Sequence, residues 1–394
     1  MRDRELALCA VIVALLLPGF AAPTRAQTTT PTPYASISAE VERYAGPGRA
    51  SAYDLTGQVV RIGLLAPLHG ARKAEGDAMV AAAQMALRDT ASQRLTRGRH
   101  VALAVEDSSG PSWGMVSDAV IRLMLNDEAV AVITSTSRVD THLCEQVGNR
   151  IGVPVLTLSA DPTTTQVDIP WIFRMGPSDD QQTQGIAQDI YSVRKLQNVL
   201  LIAQHDPESS RAIQEMKQAT SAFGARAPGV IALDELPLNL RPIMRKIEAE
   251  ASQAIVISAD PSTAAILLNA LRSAGVKTLC YLFQDASSEM RDASTSELAA
   301  SDVWTVAGAD EPTGNRQRFA ARFRQSTGVA PSLVASQTYD AVILTVQALQ
   351  IAGPNRARVR DEIAKATNYE GVSGKISFDR EGNDNATWHL VQLK

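Results

Sequence analysis

Residues 60–90 read VRIGLLAPLHGARKAEGDAMVAAAQMALRDT, and this stretch indicates the fold of the chain. The run at 60–66 is apolar on both faces, as a strand is when helices cover both sides of a parallel sheet. A segment of helical period follows at 76–90. Further strand-like runs occur at 101–107, 129–135, 154–159, 198–204, 253–259 and 279–283, with helical segments between them. Strands that alternate with helices in this way predict an α/β fold with parallel sheets.

The number of predicted strands indicates two lobes rather than one sheet. About ten strands exceed the number that a single sheet usually contains. Breaks at 171–185, 303–314 and 371–385 are candidate passages between the lobes. The first is a strand-like run followed by Gly176-Pro177 and by Ser178 and Asp179 as helix caps. We therefore predict two doubly wound parallel-sheet lobes joined by a three-crossover hinge, about which the lobes move as rigid bodies.

The first 26 residues have the pattern of a secretory signal peptide. Arg2 and Arg4 precede twelve apolar residues at 6–17, and small residues precede a cleavage point after Ala26. A helix of that length spans about 18 Å, short of a bilayer core of about 30 Å, so a membrane anchor is the weaker alternative. We predict export to the periplasm and a signal peptide at 1–26.

The region after the signal peptide predicts little fixed structure. Residues 27–57 are rich in Thr, Pro, Ser and Gly, which is typical of a flexible leader, with one short helix predicted at 37–44. Only Cys144 and Cys280 remain beyond the signal peptide, in elements well separated along the chain. Two free buried thiols are the favoured interpretation, and a disulfide between them stays open.

Composition and motifs argue against several classes of function. Hydrophobic residues make up 45% of the chain and charged residues 20%, as in ordinary globular proteins, and the net charge of −4 does not favour a nucleic-acid partner. Dinucleotide, P-loop, zinc-protease and nucleophile-elbow motifs are absent after residue 60, and the five histidines lack zinc spacing. A Ser-His-Asp triad assembled only in space stays open. We predict no catalytic residue, no metal and no cofactor, and therefore no enzyme.

Polar residues follow the predicted strands, at the edge where open α/β sheets bind ligands. In the first half these loops are STSR at 135–138 and SADPT at 159–163. In the second half they are DPESS at 206–210, DPS at 260–262 and QD at 284–285. Helix-starting loops with free N–H groups and hydroxyls suit a carboxylate. Simple N-capping explains any one loop, but recurrence in both halves favours a ligand site.

Taken together, these residues resemble the periplasmic leucine/isoleucine/valine-binding protein family, the type I solute-binding proteins of ABC importers. The resemblance covers 58–394 and rests on the order of several segments. Besides residues 60–90, these are GVPVLTLSADPTTT at 152–165, WIFRMGPSDDQQ at 171–182, LRSAGVKTLCYLF at 271–283 and GVSGKISFDREGND at 371–384.

The resemblance implies a type I fold with an N-terminal lobe of 58–176 plus 309–373 and a C-terminal lobe of 177–308 plus 374–394. It further implies an amino-acid-like ligand between the lobes, an inner-membrane ABC permease as partner, and a monomer.

The resemblance also implies which residues of the N-terminal lobe hold the ligand head group. The loop that takes the ligand carboxylate falls at Ser137 and Arg138, with arginine at the position where the family has a serine. The run that holds the ammonium falls at Ser159, Ala160 and Asp161, with aspartate in place of the usual threonine. For two of these residues a purely structural role is the alternative. Arg138 could be a surface cation and Asp161 a turn residue.

The resemblance implies four further site positions, three of them against the ligand side chain. The acidic residue of the C-terminal lobe falls at Gln284, with Asp285 adjacent. Positions that often carry aromatic residues fall near Glu75, Ser209 and Asp260. Glu75 could instead serve the helix dipole, and Asp260 an N-cap. If these residues line the site, it is more polar than a leucine site, so we expect a polar or charged ligand.

We therefore predict a periplasmic solute-binding protein of an ABC importer, which captures an amino-acid-like or other small carboxylate solute and delivers it to a permease. The main alternative is a ligand-sensing or regulatory module of the same fold without a transporter. An exported α/β enzyme is the third possibility.

Overall fold

The computed structural model describes residues 44, 46–91, 99–110, 113–165, 170–233, 239–283, 302–307, 314–386 and 388–393. The predicted signal peptide, most of the leader, and the predicted site residue Gln284 lie outside the described residues. Within the described ranges, no helix combines the length and the apolar character that a membrane span requires.

The first lobe is built on a five-stranded parallel sheet. Its strands are β1 (Val59–Ala66), β2 (His100–Asp107), β3 (Ala131–Thr134), β4 (Val155–Thr157) and β5 (Ile172–Arg174), and the helices between them are α1 (Lys73–Thr90), α2 (Trp113–Ile121) and α3 (Arg138–Ile151). The strand order is β2-β1-β3-β4-β5. Strands β3, β4 and β5 are buried throughout, as expected when helices cover both faces.

The second lobe repeats this design. Its strands are β6 (Val199–Gln204), β7 (Gly229–Leu233), β8 (Ala254–Ser258), β9 (Leu279–Leu282), β10 (Val303–Ala307) and β13 (His389–Gln392), and its helices are α4 (Asp179–Ala187), α5 (Pro207–Ala222), α6 (Leu240–Ala249) and α7 (Pro261–Ser273). The strand order is β13-β10-β9-β8-β6-β7. Strands β6 to β10 pair in parallel in the same order as the first sheet, and β13 adds an antiparallel edge.

The chain returns to the first lobe after β10. The returning elements are α8 (Gly314–Thr327), α9 (Leu333–Ala352), α10 (Arg356–Ala364), β11 (Tyr369–Glu370) and β12 (Lys375–Ile376). Val342 and Leu349 of α9 share one hydrophobic core with Ile62 of β1. The chain thus passes between the lobes after β5, after β10 and before β13, which agrees with the predicted three crossovers.

The predicted α/β fold with two parallel sheets is confirmed, and two details differ from expectation. Strand β13 is antiparallel, because the chain reaches the second sheet from the first lobe and pairs at its edge. Ile376 and Phe378 belong to the first core, so the third passage begins after Phe378 rather than after residue 373. The predicted lobe limits otherwise stay a prediction.

Part of the predicted flexible leader is packed on the first lobe. The Tyr44 ring packs edge-on to Trp171 with ring centroids 4.8 Å apart, and its backbone N–H donates to Asp361 Oδ1 at 2.7 Å. Arg49 also pairs with Asp361, and Asp54 accepts from Arg358 at 2.7 Å. Composition did not predict these contacts because the anchoring partners are distant along the chain, 317 residues in the case of Tyr44 and Asp361.

Both cysteines outside the signal peptide are free and buried, as favoured from the sequence. Burial raises the pKa of the Cys280 thiol to about 11 and raises that of the Cys144 thiol well above its usual value. Neither thiol is therefore a reactive group at neutral pH.

Candidate functional site

The candidate site lies where the loop after β4 meets helix α5 of the other lobe. Asp161 follows β4 and caps a short turn at Pro162–Thr164. Its side chain is only 4% exposed. Oδ1 accepts hydrogen bonds from the backbone N–H of Thr163 at 2.8 Å and from its hydroxyl at 2.6 Å. The carboxylate is therefore fixed in orientation by its own turn.

Two arginines, one from each lobe, approach this carboxylate. Arg138 Nη1 of the first lobe lies 3.7 Å from Asp161 Oδ2, and Arg211 Nε of the second lobe lies 3.7 Å from Oδ1. Both distances are those of ion pairs and exceed hydrogen-bond length. Among the described residues, none donates a hydrogen bond to Oδ2. One carboxylate oxygen thus faces cationic groups with its accepting capacity unused.

Helix α3 positions Arg138. Ser137 is the N-cap and accepts from the backbone N–H of Asp140 at 3.2 Å, which makes Arg138 the first helical residue. Asp140 accepts from Ser135 Oγ at 2.6 Å, and burial raises its pKa. The guanidinium and the positive end of the α3 dipole therefore lie at the same end of the helix.

Helix α5 positions Arg211. Its Nε lies 2.8 Å from Glu215 Oε1, one turn further along the helix. Burial, and then the neighbouring Asp180 carboxyl of α4, raise the pKa of Glu215 well above its usual range. A second carboxyl group close by disfavours the charged form of Glu215. Arg211 is therefore held by Glu215 of its own helix, and the Asp180 carboxyl of α4 lies close to Glu215.

The loop that carries Asp161 is also held from the other side. Ser159 is buried and its Oγ accepts from the Asp161 N–H at 3.3 Å, while the Ala160 carbonyl accepts from Asp179 N at 2.8 Å. His142 extends the network, because Nε2 lies 3.2 Å from Thr163 Oγ1 and Nδ1 lies 2.7 Å from Glu145. The hydrogen bond with Glu145 raises the pKa of His142.

The structure brings some predicted site residues together, and it places others in hydrogen bonds with their own helix or a neighbouring loop. Arg138 and Asp161 meet, with Ser137, Ser159 and Ala160 shaping their loops. Glu75 accepts from Arg72 at 2.8 Å and from the N–H of Thr136 at 3.0 Å, so it ties α1 to the loop after β3.

Two predicted residues of the second lobe serve as part of helix caps. Ser209 donates from its N–H to Asp206 Oδ1 at 2.7 Å and from its hydroxyl to Oδ2 at 2.8 Å. Asp260 is exposed and accepts from Thr263 N at 3.0 Å and from its hydroxyl at 2.7 Å. Their ligand contacts stay a prediction.

Sequence analysis missed Arg211 and Glu215. The only signal was their i,i+4 spacing in a helix that begins in a predicted ligand loop, and such spacing is common on exposed helix surfaces. It also left open a triad. His69 Nδ1 does lie 2.8 Å from Asp107 Oδ2, but Ser109 Oγ accepts from the His69 backbone N–H rather than from the ring. No three His, Cys, Asp or Glu side chains of the described ranges are placed to hold a metal ion.

Comparison with known proteins identifies relatives over most of the chain. Residues 59–394 match the family described as periplasmic binding protein. A relative from Pseudomonas aeruginosa, named amino acid binding protein, is 23% identical over 338 residues, which cover 84% of this chain and 89% of the relative.

Solved structures are similar in fold. The branched-chain amino acid transporter substrate binding protein LivJ from Streptococcus pneumoniae, solved with isoleucine, has a TM-score of 0.71 at 18% identity, covering 85% of this chain and 96% of LivJ. An ABC-transporter solute binding protein from Rhodopseudomonas palustris, solved with 3,4-dihydroxybenzoic acid, has a TM-score of 0.74 at 15% identity, covering 86% and 94%. At these identities the likeness shows the fold and not the ligand. The family match over 59–394, together with the two-lobed α/β fold, shows that this chain belongs to the periplasmic binding protein family, a family of solute-binding proteins.

Proposed function

We propose that the protein is the solute-binding component of an ABC importer. It captures an α-amino acid or a close analogue between its two lobes in the periplasm and delivers it to an inner-membrane permease. It acts as a monomer and catalyses no reaction. Family membership supports the general role, and the charged groups between the lobes support the choice of solute.

The pairing of Arg138 with Asp161 carries the choice of solute. A guanidinium offers parallel N–H donors to a carboxylate, and a carboxylate accepts from an ammonium. The Oδ2 atom of Asp161 accepts no hydrogen bond from the described residues, so it can take an ammonium N–H. These two groups, 3.7 Å apart on the first lobe, match the two charges of a zwitterion.

Arg211 gives the second lobe a part in binding. It lies on α5, across from the first-lobe charges, and reaches Asp161 from there. A solute that contacts Arg211 as well as Arg138 interacts with both lobes only when they are close together. Such a ligand favours the closed arrangement by the free energy of those extra contacts, which is how hinge closure follows from binding.

The acid at Asp161 argues against a simple carboxylate as the preferred solute. A carboxylate without an ammonium brings a second negative charge beside Asp161, and like charges in a poorly hydrated place repel. An amino acid supplies its own cation there. An aromatic acid such as benzoate is therefore the weaker candidate for this chain.

Native mass spectrometry of the purified mature protein, followed by calorimetric titration, tests the proposal. We expect a co-purifying solute of amino-acid mass, and binding of at least one member of a panel of L-leucine, L-glutamine and L-glutamate with little binding of benzoate. Small-angle scattering should show a smaller radius of gyration on saturation. Tight binding of benzoate with no binding of any amino acid would contradict the proposed solute.

A further inference from the structure

Arg174, the last residue of β5, lies between the loop of Asp161 and the third crossover. Its side chain is almost fully buried. A buried guanidinium is costly unless its donors are satisfied, so its partners define what it holds in place. Burial lowers its pKa, while the carboxylates of Asp179, Asp379, Asp161 and Asp180 act in the opposite direction.

On one side Arg174 holds the backbone and hydroxyls of the binding loop. Nη1 donates to the Asp161 carbonyl at 2.9 Å and lies 3.3 Å from Thr164 Oγ1. Nη2 donates to Thr165 Oγ1 at 2.7 Å. The loop that presents the Asp161 carboxylate to the other lobe is thus fastened at three points to one side chain.

On the other side Arg174 holds the third crossover. Nη2 also donates to Asn383 Oδ1, and the Arg174 backbone N–H donates to the Gly382 carbonyl at 2.8 Å. Gly382 has a φ of +83°, and a Cβ there would lie 1.9 Å from the Ile172 carbonyl oxygen. The crossover therefore lies directly against β5, closer than any side chain would permit.

A second connection runs in parallel through the first crossover. Asp179 N donates to the Ala160 carbonyl at 2.8 Å, and the Gln181 side-chain amide donates to the Asp384 carbonyl at 3.3 Å. Both residues lie at the start of α4, where the chain has just entered the second lobe. The binding loop thus contacts two of the three passages about which the lobes turn.

The Thr165 hydroxyl of the loop donates to the same Asn383 oxygen. We infer that Arg174 is a positioning residue that, together with this bond, couples the Asp161 loop to the third crossover, so that a shift of either segment is transmitted to the other. The significance of this coupling for solute capture rests on the proposed function. The coupling itself is a property of the protein without solute. By linkage it is reciprocal, so that loosening the crossover loosens the loop and the reverse.

Hydrogen exchange of the solute-free protein, followed by mass spectrometry, tests the coupling. Asn383→Ala removes the crossover oxygen that accepts from both Arg174 and the Thr165 hydroxyl, and leaves the Arg174 bonds to the loop in place. We expect amide exchange at 159–165 to rise by about tenfold or more, with a matching rise at 377–386 in Thr165→Val. Thr165→Ser keeps the hydroxyl that contacts Arg174 and Asn383 and should retain the protection of the wild type at 377–386.

Asn385→Ala is the matched control, since Asn385 is exposed and lies two residues away in the same crossover. It should leave exchange at 159–165 unchanged. A rise confined to 377–386 in Asn383→Ala, or an equal rise at 159–165 in Asn385→Ala, would overturn the coupling. Because no solute enters this experiment, failure to bind amino acids would contradict the proposed function alone.

Discussion

Two Asp-Pro turns, one in each lobe, begin in the same way and differ in what surrounds them. Asp161-Pro162 follows β4 and Asp260-Pro261 follows β8, and each aspartate caps the next helical turn. Asp161 is buried between arginines from both lobes. Asp260 is exposed, and its carboxylate contacts Thr263 of its own helix. Capping is common to both turns, and among the described residues it is the first turn that arginines of both lobes approach.

The difference extends to the lobes as wholes. Their parallel strands follow the same order, yet Arg138 and Asp161 are both contributed by the first lobe, and Arg211 approaches Asp161 from the second lobe. The first lobe therefore has the charges suited to hold a zwitterionic head group on its own. In the second lobe, Arg211 is placed to complete the contact on closure.

The largest expected effect comes from removing the first-lobe cation. Arg138→Gln leaves Asp161 without its guanidinium and the solute carboxylate without its donor. Breaking such a pair costs on the order of 2–5 kcal/mol, or about thirty- to several-thousand-fold in affinity. Calorimetric titration with the amino acid that binds best should show this loss. Arg150→Gln, at the exposed far end of the same helix, is the control and should bind as the wild type does.

The passage between the lobes has its own pH signature. Burial raises the pKa of Asp384 to about 7, against the lowering effect of N–H donors at Ser377 and Ala386 and of the Arg174 charge. The folded-state pKa thus exceeds the unfolded value of about 3.9. The contribution of the protonated Asp384 carboxyl to the unfolding free energy is fully present below about pH 4 and is lost as the pH rises through about 7.

Asp384→Asn imitates the protonated carboxyl and so removes this dependence. The variant should exceed the wild type in unfolding free energy by on the order of 2–4 kcal/mol at pH 8 and lose that advantage toward pH 4. Urea unfolding of both proteins at pH 5, 6.5 and 8 measures the difference. If the unfolding free energies of the two proteins differ by the same amount at all three pH values, Asp384 has an ordinary pKa.

A smaller effect is expected from the second-lobe cation. Arg211 is partly exposed and pairs with Glu215 as well as with Asp161, so its net contribution is discounted for solvent screening. Arg211→Gln should weaken amino-acid binding by about fivefold and reduce the decrease in radius of gyration on saturation. Arg226→Gln, at an exposed position beyond α5, serves as the control. An affinity loss equal to that of Arg138→Gln would remove the proposed asymmetry between the lobes.

The smallest effect on binding is expected at the second Asp-Pro turn. Asp260→Ala removes the N-cap of α7 and should lower the unfolding free energy by about 1 kcal/mol. Amino-acid affinity should stay within about twofold of the wild type, since the described contacts of the Asp260 carboxylate are with Thr263 of its own helix. A loss of affinity without a loss of stability would restore Asp260 to the binding site predicted from the sequence.

The fold could be predicted because strand and helix periods are local properties of the sequence. The runs at 60–66 and 198–204 coincide with β1 and β6 to within a residue. Strand β7 was not predicted, since it lies at an edge of its sheet and is mostly half-buried. The anchoring of Tyr44 and Asp54 was missed for another reason, because it depends on partners distant in the chain.

The site was harder to predict, because an Asp-Pro turn has the same local sequence whether it caps a helix or also faces a ligand. Asp161, Asp206 and Asp260 all precede proline and all cap. Only packing distinguishes them, and Arg211 reaches Asp161 from a different lobe. The resemblance to a family pointed to Arg138 and Asp161. Arg211, which has an ordinary helical i,i+4 spacing to Glu215, gave no sign of its role in the sequence.

The role of Asp161 is tested most directly by titrating Asp161→Asn with two compounds that differ only in the ammonium group. L-Leucine and 4-methylpentanoate form one such pair, and the amino acid that binds the wild type best defines another. The substitution removes the charge that would pair with an ammonium and keeps the capping oxygen. We predict that the amino acid loses about thirtyfold or more in affinity, while the matching acid without the ammonium does not weaken. Affinities for both compounds within about twofold of wild type would show that Asp161 caps its turn and does not bind the solute.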